Sequence, residues 1–259
     1  MSRIFYISTF VILVIIANLF KLYAQERKVL TLVTAPEVKD MMKNDRVVLI
    51  NSLTQIEYSI QHIPDSINIP LSEMKNAKEL LINKKYSIDK NRPLVFYCMG
   101  KSCLYSRIAS QAAIAMGYKK VYWFEGGIPE WYRFNFPMLI NQPLKSIRVK
   151  KLSPSKVAKL IKKENVMVLD VRPTWWNTSK GMIKNTHFMP LVKLADHYAE
   201  IPFDRPIIIS DGLMKQSPSA ARFLIDKGFN ILGVLKGGIM RWEKEGYPLY
   251  DKSNNHSSF

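Results

Sequence analysis

The residues of this 259-residue chain best suited to covalent chemistry are its only two cysteines, Cys98 and Cys103. An apolar run at 94–97 ends directly before Cys98, and a polar turn with Gly100 and Lys101 leads into a helical pattern. At such a strand-to-helix turn, backbone N–H groups form a nest for negative charge, and the helix adds its positive end. A thiol held there has a lowered pKa and becomes a nucleophile at neutral pH. The alternative is an inert, buried thiol at a strand end.

The composition is that of a globular protein with a sizeable core, since 47% of the residues are hydrophobic and 23% are charged. Two cysteines are too few for a disulfide framework. The four histidines show no ligand spacing, so we predict no metal site and no cofactor. The net charge of +17 favours anionic partners in general. No dense basic run with interleaved aromatic residues occurs, so nucleic acid is not a predicted partner.

The N-terminal segment is predicted to lie outside the fold. The stretch Ile4–Phe20 is almost continuously apolar and has about the length of a short membrane span. It also resembles a secretory signal, with Ala24 as a cleavage point. Residues 1–25 are therefore predicted to be a membrane anchor or a signal peptide. Either one places the remaining chain in the bacterial cell envelope, in the periplasm or otherwise outside the cytoplasm, anchored in the inner membrane or secreted.

The chain contains an internal repeat of roughly 110 residues. Three pairs of stretches match in order, with the same succession of apolar runs and turns: 47–71 with 166–191, 92–98 with 205–211, and 116–138 with 227–249. Short runs rich in Val and Ile alternate with helical patterns, which indicates a mainly parallel α/β sheet in each unit. Ser153 and Pro154 are typical of a helix start. We predict two domains, at residues 30–140 and 151–252. A linker at 141–150 joins them, and residues 253–259 form a disordered tail.

The repeated motifs resemble those of the rhodanese family of sulfurtransferases. The opening motif of that family is matched by Glu57-Tyr58 with residues 61–66 in the first unit, and by residues 170–173 with 181–183 in the second. Its closing motif, Gly-Gly-x-x-x-Trp, occurs at 126–131 and again at 237–242. The resemblance extends over about residues 30 to 250 and implies tandem rhodanese domains, each with a mainly parallel sheet flanked by helices.

The resemblance assigns the nucleophile to Cys98. It implies a sulfurtransferase that moves sulfane sulfur from a small anionic donor such as thiosulfate to a thiol or cyanide acceptor, through a persulfide on Cys98. The substrate-binding loop it implies consists of Met99, Gly100, Lys101, Ser102, Cys103, Leu104, Tyr105, Ser106 and Arg107. Lys101 stands where many rhodaneses carry Arg, and it lacks the bidentate fork of a guanidinium. A non-catalytic binding or sensing module and a thiol–disulfide oxidoreductase using both cysteines are alternative functions.

The sequence is compatible with three roles for Cys103. Eight positions separate Cys98 from Ser106, whereas six separate Asp211 from Ser217 in the second unit. The longer loop matches a less common family variant, Cys-x-Gly-x-x-Cys-x-x-Ser. Cys103 is a resolving thiol for Cys98, its partner in a static disulfide, or a space-filling residue.

The second unit carries Asp211 at the cysteine position, so we predict that this domain is not catalytic. The first unit carries Asn51-Ser52 where the family has its Asp-x-Arg pair. Because that pair braces the domain internally, we expect its loss to be structural drift. The pair Trp175-Trp176 is expected at the domain interface or in the core. The oligomeric state is not predicted.

Overall fold

The computed structural model describes residues 30–44, 47–71, 88–162, 165–174 and 181–250. The predicted anchor or signal, the predicted tail and the Trp175-Trp176 pair lie outside these residues. Within the described ranges, no helix combines the length and the apolar character that crossing a membrane would need.

The first half of the chain forms a five-stranded parallel sheet. Its elements are β1 (Thr31–Leu32), α1 (Ala35–Asn44), β2 (Val48–Asn51), α2 (Gln55–Ile60), β3 (Gln61–His62), β4 (Ile67–Asn68), β5 (Leu94–Tyr97), α3 (Tyr105–Ala115), β6 (Val121–Phe124), α4 (Gly127–Arg133), β7 (Leu139–Ile140) and α5 (Gln142–Ser146). The strand order is β1-β6-β5-β2-β4, with every pairing parallel. The short strands β3 and β7 form a separate antiparallel pair.

The second half repeats this architecture. Its elements are β8 (Lys151–Leu152), α6 (Pro154–Leu160), β9 (Met167–Asp170), β10 (Thr186–Phe188), α7 (Leu191–His197), a 3-10 turn (Tyr198–Glu200), β11 (Ile207–Ser210), α8 (Ser217–Asp226), β12 (Ile231–Leu235) and α9 (Gly238–Lys244). The order β10-β9-β11-β12-β8 is again all parallel. Strand for strand it equals the first sheet, which confirms the two parallel α/β domains expected from the repeat.

Helices cover both faces of each sheet because the central strands are apolar on both sides. In the fully buried β5, Phe96 packs on the face covered by α3, in one cluster with Ala109. Val95 faces the opposite side, in a cluster with Val38 of α1 and Trp131 of α4. The strand that precedes Cys98 is therefore fixed from two directions.

The repeated Trp and Pro of the closing motif make the same contact in both domains. The indole N–H of Trp131 donates to the carbonyl of Pro137 at 2.8 Å, and that of Trp242 donates to the carbonyl of Pro248 at 2.9 Å. A buried indole needs an acceptor for its N–H, so the spacing of Trp and Pro is kept by one hydrogen bond. The predicted helix start at Ser153 is also confirmed, since its hydroxyl accepts the N–H of Lys156 at 3.3 Å.

The two domains share a hydrophobic cluster. Ile56 and Ile60 of α2, together with Leu144 of α5, are buried in the cluster that contains Leu194 of α7 and Leu224 of α8. Helix α2 thus packs against the second domain rather than against its own sheet alone. Burial of these aliphatic side chains stabilises one arrangement of the two domains.

The first domain lacks the Asp-x-Arg pair but keeps the turn that the pair makes in the second domain. In the second domain, Arg172 and Asp170 form a fully buried ion pair at 2.6 Å. In the first domain, Asn51 keeps the turn by accepting the N–H of Leu53 at 2.8 Å, as Asp170 does for Arg172. The charge is replaced by the buried hydroxyl of Tyr97.

Tyr97 forms a neutral network in the place of that ion pair. Its hydroxyl accepts the N–H of Ile63 at 3.0 Å and hydrogen-bonds to Ser66 Oγ at 2.8 Å. Burial raises the pKa of Tyr97 to about 12, so the group stays neutral. The first domain therefore replaces a buried charge pair by hydrogen bonds that carry no cost of burying an ion.

Candidate active site

The Cys98 loop, residues 98–106, begins at the carboxyl end of β5 and runs into α3. Gly100 adopts a φ of +99°, in the left-handed region that glycine tolerates best. The N–H of Cys103 donates to the carbonyl of Gly100 at 2.8 Å and closes the turn. The loop is therefore a tight bend that returns Cys103 to the vicinity of Cys98.

The closing motif supports this loop from beneath. The N–H of Ile128 donates to the carbonyl of Cys98 at 3.1 Å. Gly127 has a φ of +52°, and a Cβ atom on it would lie 2.2 Å from the Cys98 carbonyl oxygen. Only glycine permits this approach, which gives the Gly-Gly pair a direct role in shaping the loop.

Cys98 is almost completely buried, with 1% of its surface exposed. Its Sγ lies 3.1 Å from the hydroxyl of Ser106, which donates to it, and 3.2 Å from the carbonyl oxygen of Cys103. The hydroxyl of Ser106 in turn accepts the indole N–H of Trp123 at 3.0 Å. Two successive hydrogen bonds therefore lead from Trp123 on β6 through Ser106 on α3 to the sulfur of Cys98.

The surroundings of Cys98 favour its thiolate. The pKa of Cys98 is lowered to about 7, chiefly because the Cys103 thiol hydrogen-bonds to it. Burial opposes this effect, whereas the Ser106 hydroxyl and the N–H groups of Ser106 and Gly100 reinforce it. The same hydrogen bond, together with burial, raises the pKa of Cys103. The first proton lost by the pair therefore comes from Cys98.

Both cysteines are free thiols, so the structure shows neither partner in a static disulfide. Cys103 is half-buried and packs against the cluster that contains Tyr97 and Trp131. It fills space, but its carbonyl oxygen also accepts the thiol hydrogen of Cys98 at 3.2 Å, and its own thiol lowers the pKa of Cys98. This second role is not visible in the sequence spacing alone.

The remaining loop residues divide into a buried base and an exposed edge. Ser106 and Gly100 are buried beside Cys98, and Tyr105 is half-buried. The exposed edge consists of Met99, Lys101, Ser102 and Leu104, followed by Arg107 on the first turn of α3. The guanidinium of Arg107 lies over the indole ring of Trp123, with 5.7 Å between its carbon and the ring centroid. Of the two cations, Lys101 is therefore the one that lies beside the turn at Gly100.

The corresponding loop of the second domain, residues 211–217, holds its own anion. Asp211 is 1% exposed, and its carboxylate accepts the N–H groups of Met214, Gln216 and Ser217, the last at 3.0 Å. Burial raises the pKa of Asp211, against the opposing effect of these bonds. The nest contains a carboxylate and no thiol, so it lacks a sulfur nucleophile.

The two loops meet across the domain boundary. Lys215 Nζ lies 3.3 Å from the carbonyl oxygen of Ser102. The side-chain amide of Gln216 donates to the hydroxyl of Tyr105 at 3.0 Å. Sequence reasoning missed Lys215 and Gln216, because no motif marks a contact that exists only after the two units have docked. It also missed Trp123, whose contact with Ser106 forms only when β6 and α3 pack together within the first domain.

The residues of the opening motif have structural roles. Thr54 and Glu57 form a capping box at the start of α2, with Glu57 also accepting the Thr54 hydroxyl at 2.8 Å. Burial is the main cause that raises the pKa of Glu57, and the nearby charge of Asp211 adds to it. The rings of Tyr58 and His62 stack with centroids 3.8 Å apart. Together these contacts hold the helix that faces the second domain.

Among the residues that the structure describes, no group of His, Cys, Asp or Glu side chains has the arrangement of a metal site. The groups that the structure places at the Cys98 loop are a thiol with a lowered pKa, a second thiol and the N–H groups of Gly100 and Ser106.

Comparisons with known proteins agree with the fold. The sequence profile of the rhodanese-like domain matches residues 34–134 and 153–245, well over half of the chain. A sulfurtransferase from Allochromatium vinosum is 30% identical over 97 residues, which cover 38% of this chain and 90% of that protein. A thiosulfate:glutathione sulfurtransferase from Homo sapiens is 31% identical over 107 residues, with 38% and 90% covered.

A relative with another activity matches as well. A tRNA uridine(34) hydroxylase from Buchnera aphidicola is 30% identical over 109 residues, which cover 40% of this chain. The match spans only 32% of the length of that enzyme. The shared part is thus one domain of the size found twice in this chain.

Proposed function

The chain belongs to the rhodanese family, and from that premise we propose that it is a sulfurtransferase with Cys98 as its nucleophile. The donor is a small anion such as thiosulfate, and the acceptor is a thiol or cyanide. One observation carries the proposal: the buried Sγ of Cys98 accepts the hydroxyl of Ser106 at 3.1 Å at the base of the loop, in surroundings that lower the pKa of Cys98 to about 7. A thiolate in that position attacks sulfur, whereas a neutral buried thiol would not.

The first half-reaction forms a persulfide. The Cys98 thiolate attacks the outer sulfur of thiosulfate, a sulfur–sulfur bond forms, and the bond within thiosulfate breaks. Sulfite leaves with the electron pair. The N–H groups of Gly100 and Ser106, which favour the thiolate, also stabilise a persulfide anion, because both species carry the charge on sulfur.

The second half-reaction regenerates the enzyme. The thiolate of the acceptor attacks the outer sulfur of the persulfide, and the electron pair of the broken bond returns to Cys98. The acceptor leaves as a persulfide, or as thiocyanate when it is cyanide. The low pKa of Cys98 makes it a good leaving group in this step.

Intact-mass spectrometry after incubation with thiosulfate tests the proposal. We expect a gain of one sulfur atom that cyanide removes, and no gain in the Cys98→Ser variant. The Cys103→Ser variant serves as the matched control, because it keeps the nucleophile and a hydroxyl donor. An unchanged mass in the parent protein would favour a rhodanese-fold binding module, and a gain retained by Cys98→Ser would refute the assignment of the nucleophile.

A second candidate function is thiol–disulfide exchange. It is favoured by the position of both cysteines on one turn, where the Sγ of Cys98 lies 3.2 Å from the carbonyl oxygen of Cys103 and the Cys103 thiol lowers the pKa of Cys98. In this reaction Cys98 attacks the disulfide of an oxidised partner, and Cys103 displaces the reduced partner by forming a bond to Cys98. Incubation with oxidised glutathione would then yield a mass loss of two hydrogens, which Cys103→Ser would convert into a stable glutathione adduct.

We also propose that the enzyme acts outside the cytoplasm, on the basis of the apolar stretch Ile4–Phe20. A periplasm-dependent reporter fused after residue 259 should be active. A fusion that is active only with a cytoplasmic reporter would refute this location.

A further inference from the structure

The loop that begins at Cys98 and the facing loop of the second domain lie side by side and form one surface, here called the rim. The contacts of Lys215 with Ser102 and of Gln216 with Tyr105, at 3.3 and 3.0 Å, fix the loops side by side. Leu104 directly precedes Tyr105, and Leu213 lies two residues before Lys215, so its Cα is within about 7.6 Å of that of Lys215. We define the rim by its outward-facing residues: Met99, Lys101, Leu104, Ile108, Leu213 and Lys215.

The rim exposes large aliphatic side chains from both domains. Leu104 is 55% exposed, Leu213 48%, Ile108 45% and Met99 42%. Apolar side chains grouped on a surface and bordered by polar residues mark an interaction site, because their contact with water is unfavourable. A small acceptor such as cyanide gains nothing from them. A larger occupant would remove them from water.

The charge of the rim has one sign. Lys101 and Lys215 are exposed, and the stretches 99–108 and 212–217 contain no acidic residue. Glu57 and Asp211 are buried, and Glu125, which directly precedes the Gly-Gly pair beneath the Cys98 loop, is half-buried. A partner that complements this surface therefore has apolar side chains at the centre of its contact area and anionic groups around them.

On the basis of the proposed function, we propose that the physiological acceptor is a cysteine thiol on a partner protein, surrounded there by acidic and aliphatic side chains. That thiolate attacks the outer sulfur of the Cys98 persulfide, the sulfur–sulfur bond breaks, and its electron pair returns to Cys98. The partner keeps the sulfur as its own persulfide. Its thiol proton is released to solvent before the attack.

A nucleic acid fits this rim less well than a protein does. Single-stranded RNA binds through bases stacked on aromatic rings or guanidinium planes. The exposed apolar residues of the rim are aliphatic, and Arg107 already lies over the ring of Trp123. The rim therefore offers cations without stacking platforms.

Discharge of the preformed Cys98 persulfide by two synthetic peptides tests the proposal. Both peptides carry a central cysteine between leucines; glutamates flank one and lysines the other. At low salt we expect the glutamate peptide to react about tenfold faster than the lysine peptide, with the difference shrinking as salt screens the charges. Cyanide discharge, measured in parallel, reports the basal chemistry.

Variants of the second domain separate docking from chemistry. Lys215→Ala and Leu213→Ser should each slow discharge by the glutamate peptide about threefold to tenfold, because each removes one rim contact. Discharge by cyanide should stay unchanged in Leu213→Ser, and in Lys215→Ala it should fall less than discharge by the glutamate peptide does. Lys120→Ala is the matched control, since Lys120 is exposed before β6, at the opposite end of the sheet from Cys98.

The outcomes are distinguishable. If no persulfide that cyanide removes is formed, the proposed function itself fails before a peptide is added. If the persulfide forms but both peptides react equally, or if Lys215→Ala and Lys120→Ala behave alike, the docking proposal is overturned. Competition by oligouridine or by phosphatidylglycerol vesicles, without any preference between the peptides, would overturn it in favour of an RNA or membrane surface.

Discussion

Replacing Cys103 by alanine should raise the pKa of Cys98, because the Cys103 thiol is the main group that lowers it. A hydrogen bond to a charged group contributes about 1.5–3 kcal/mol. Since one pKa unit corresponds to about 1.4 kcal/mol, the loss of this bond should move the midpoint upward by about one to two units. The thiolate fraction at neutral pH would fall from about one half to one tenth or less.

The reaction rate changes less than the thiolate fraction, because a thiolate of higher pKa is a stronger nucleophile. With a Brønsted slope of about 0.4–0.5, each unit raises the intrinsic reactivity about threefold. The Cys103→Ala variant should thus react about two- to sixfold more slowly at neutral pH, yet about three- to eightfold faster once fully ionised. The two pH profiles must cross, which a general loss of structure would not produce.

The assay is the rate of iodoacetamide alkylation of Cys98 against pH, followed on the Cys98 peptide by mass spectrometry. Cys103→Ser is the matched control, since its hydroxyl still donates and should keep the midpoint near that of the parent. A midpoint that stays near neutral pH in Cys103→Ala would refute the reasoning. It would assign the lowered pKa to Ser106 and the backbone N–H groups instead.

Three further substitutions test the surroundings of the nucleophile and the buried ion pair of the second domain. Ser106→Ala removes a donor to the sulfur, so the alkylation midpoint should rise by about one unit. Gly127→Ala should destabilise the fold by about 1–3 kcal/mol in urea unfolding and slow transfer; Gly246→Ala, where a Cβ meets nothing within 4 Å, should leave transfer unchanged. Arg172→Met leaves Asp170 buried without its partner and should cost about 3–5 kcal/mol, whereas a cost below 1 kcal/mol would contradict the ion pair's role.

Much of the fold could be predicted because local patterns fix it. The Val- and Ile-rich runs are short and bounded by turns, so each was identifiable as a buried parallel strand. The same Trp and Pro spacing recurred in both halves, and in the structure it corresponds to one hydrogen bond made by Trp131 and again by Trp242. The repeat was therefore readable without knowledge of any long-range contact.

The contacts around Cys98 could be predicted only in part. The nest at the end of β5 follows from chain geometry, but the hydrogen bond from Trp123 through Ser106 joins residues 17 positions apart on different elements. The exchange of a buried ion pair for the Tyr97 hydroxyl was likewise hidden. A tyrosine at the end of an apolar strand resembles any other core residue, and its polar atom acquires a partner only when the sheet is complete.

Asp211 stands in the second domain at the position that Cys98 has in the first. Its hydrogen bonds explain how the second domain shapes the loop of the first. A loop with several inward N–H groups is unfavourable if they are buried without an acceptor. In the first domain the sulfur of Cys98 accepts them, and in the second the carboxylate of Asp211 does. Because Asp211 accepts the N–H groups of Gln216 and Ser217, the backbone that carries Lys215 and Gln216 is held against Ser102 and Tyr105. Asp211 thus provides the acceptor that its own loop needs and preserves the conformation that the Cys98 loop contacts.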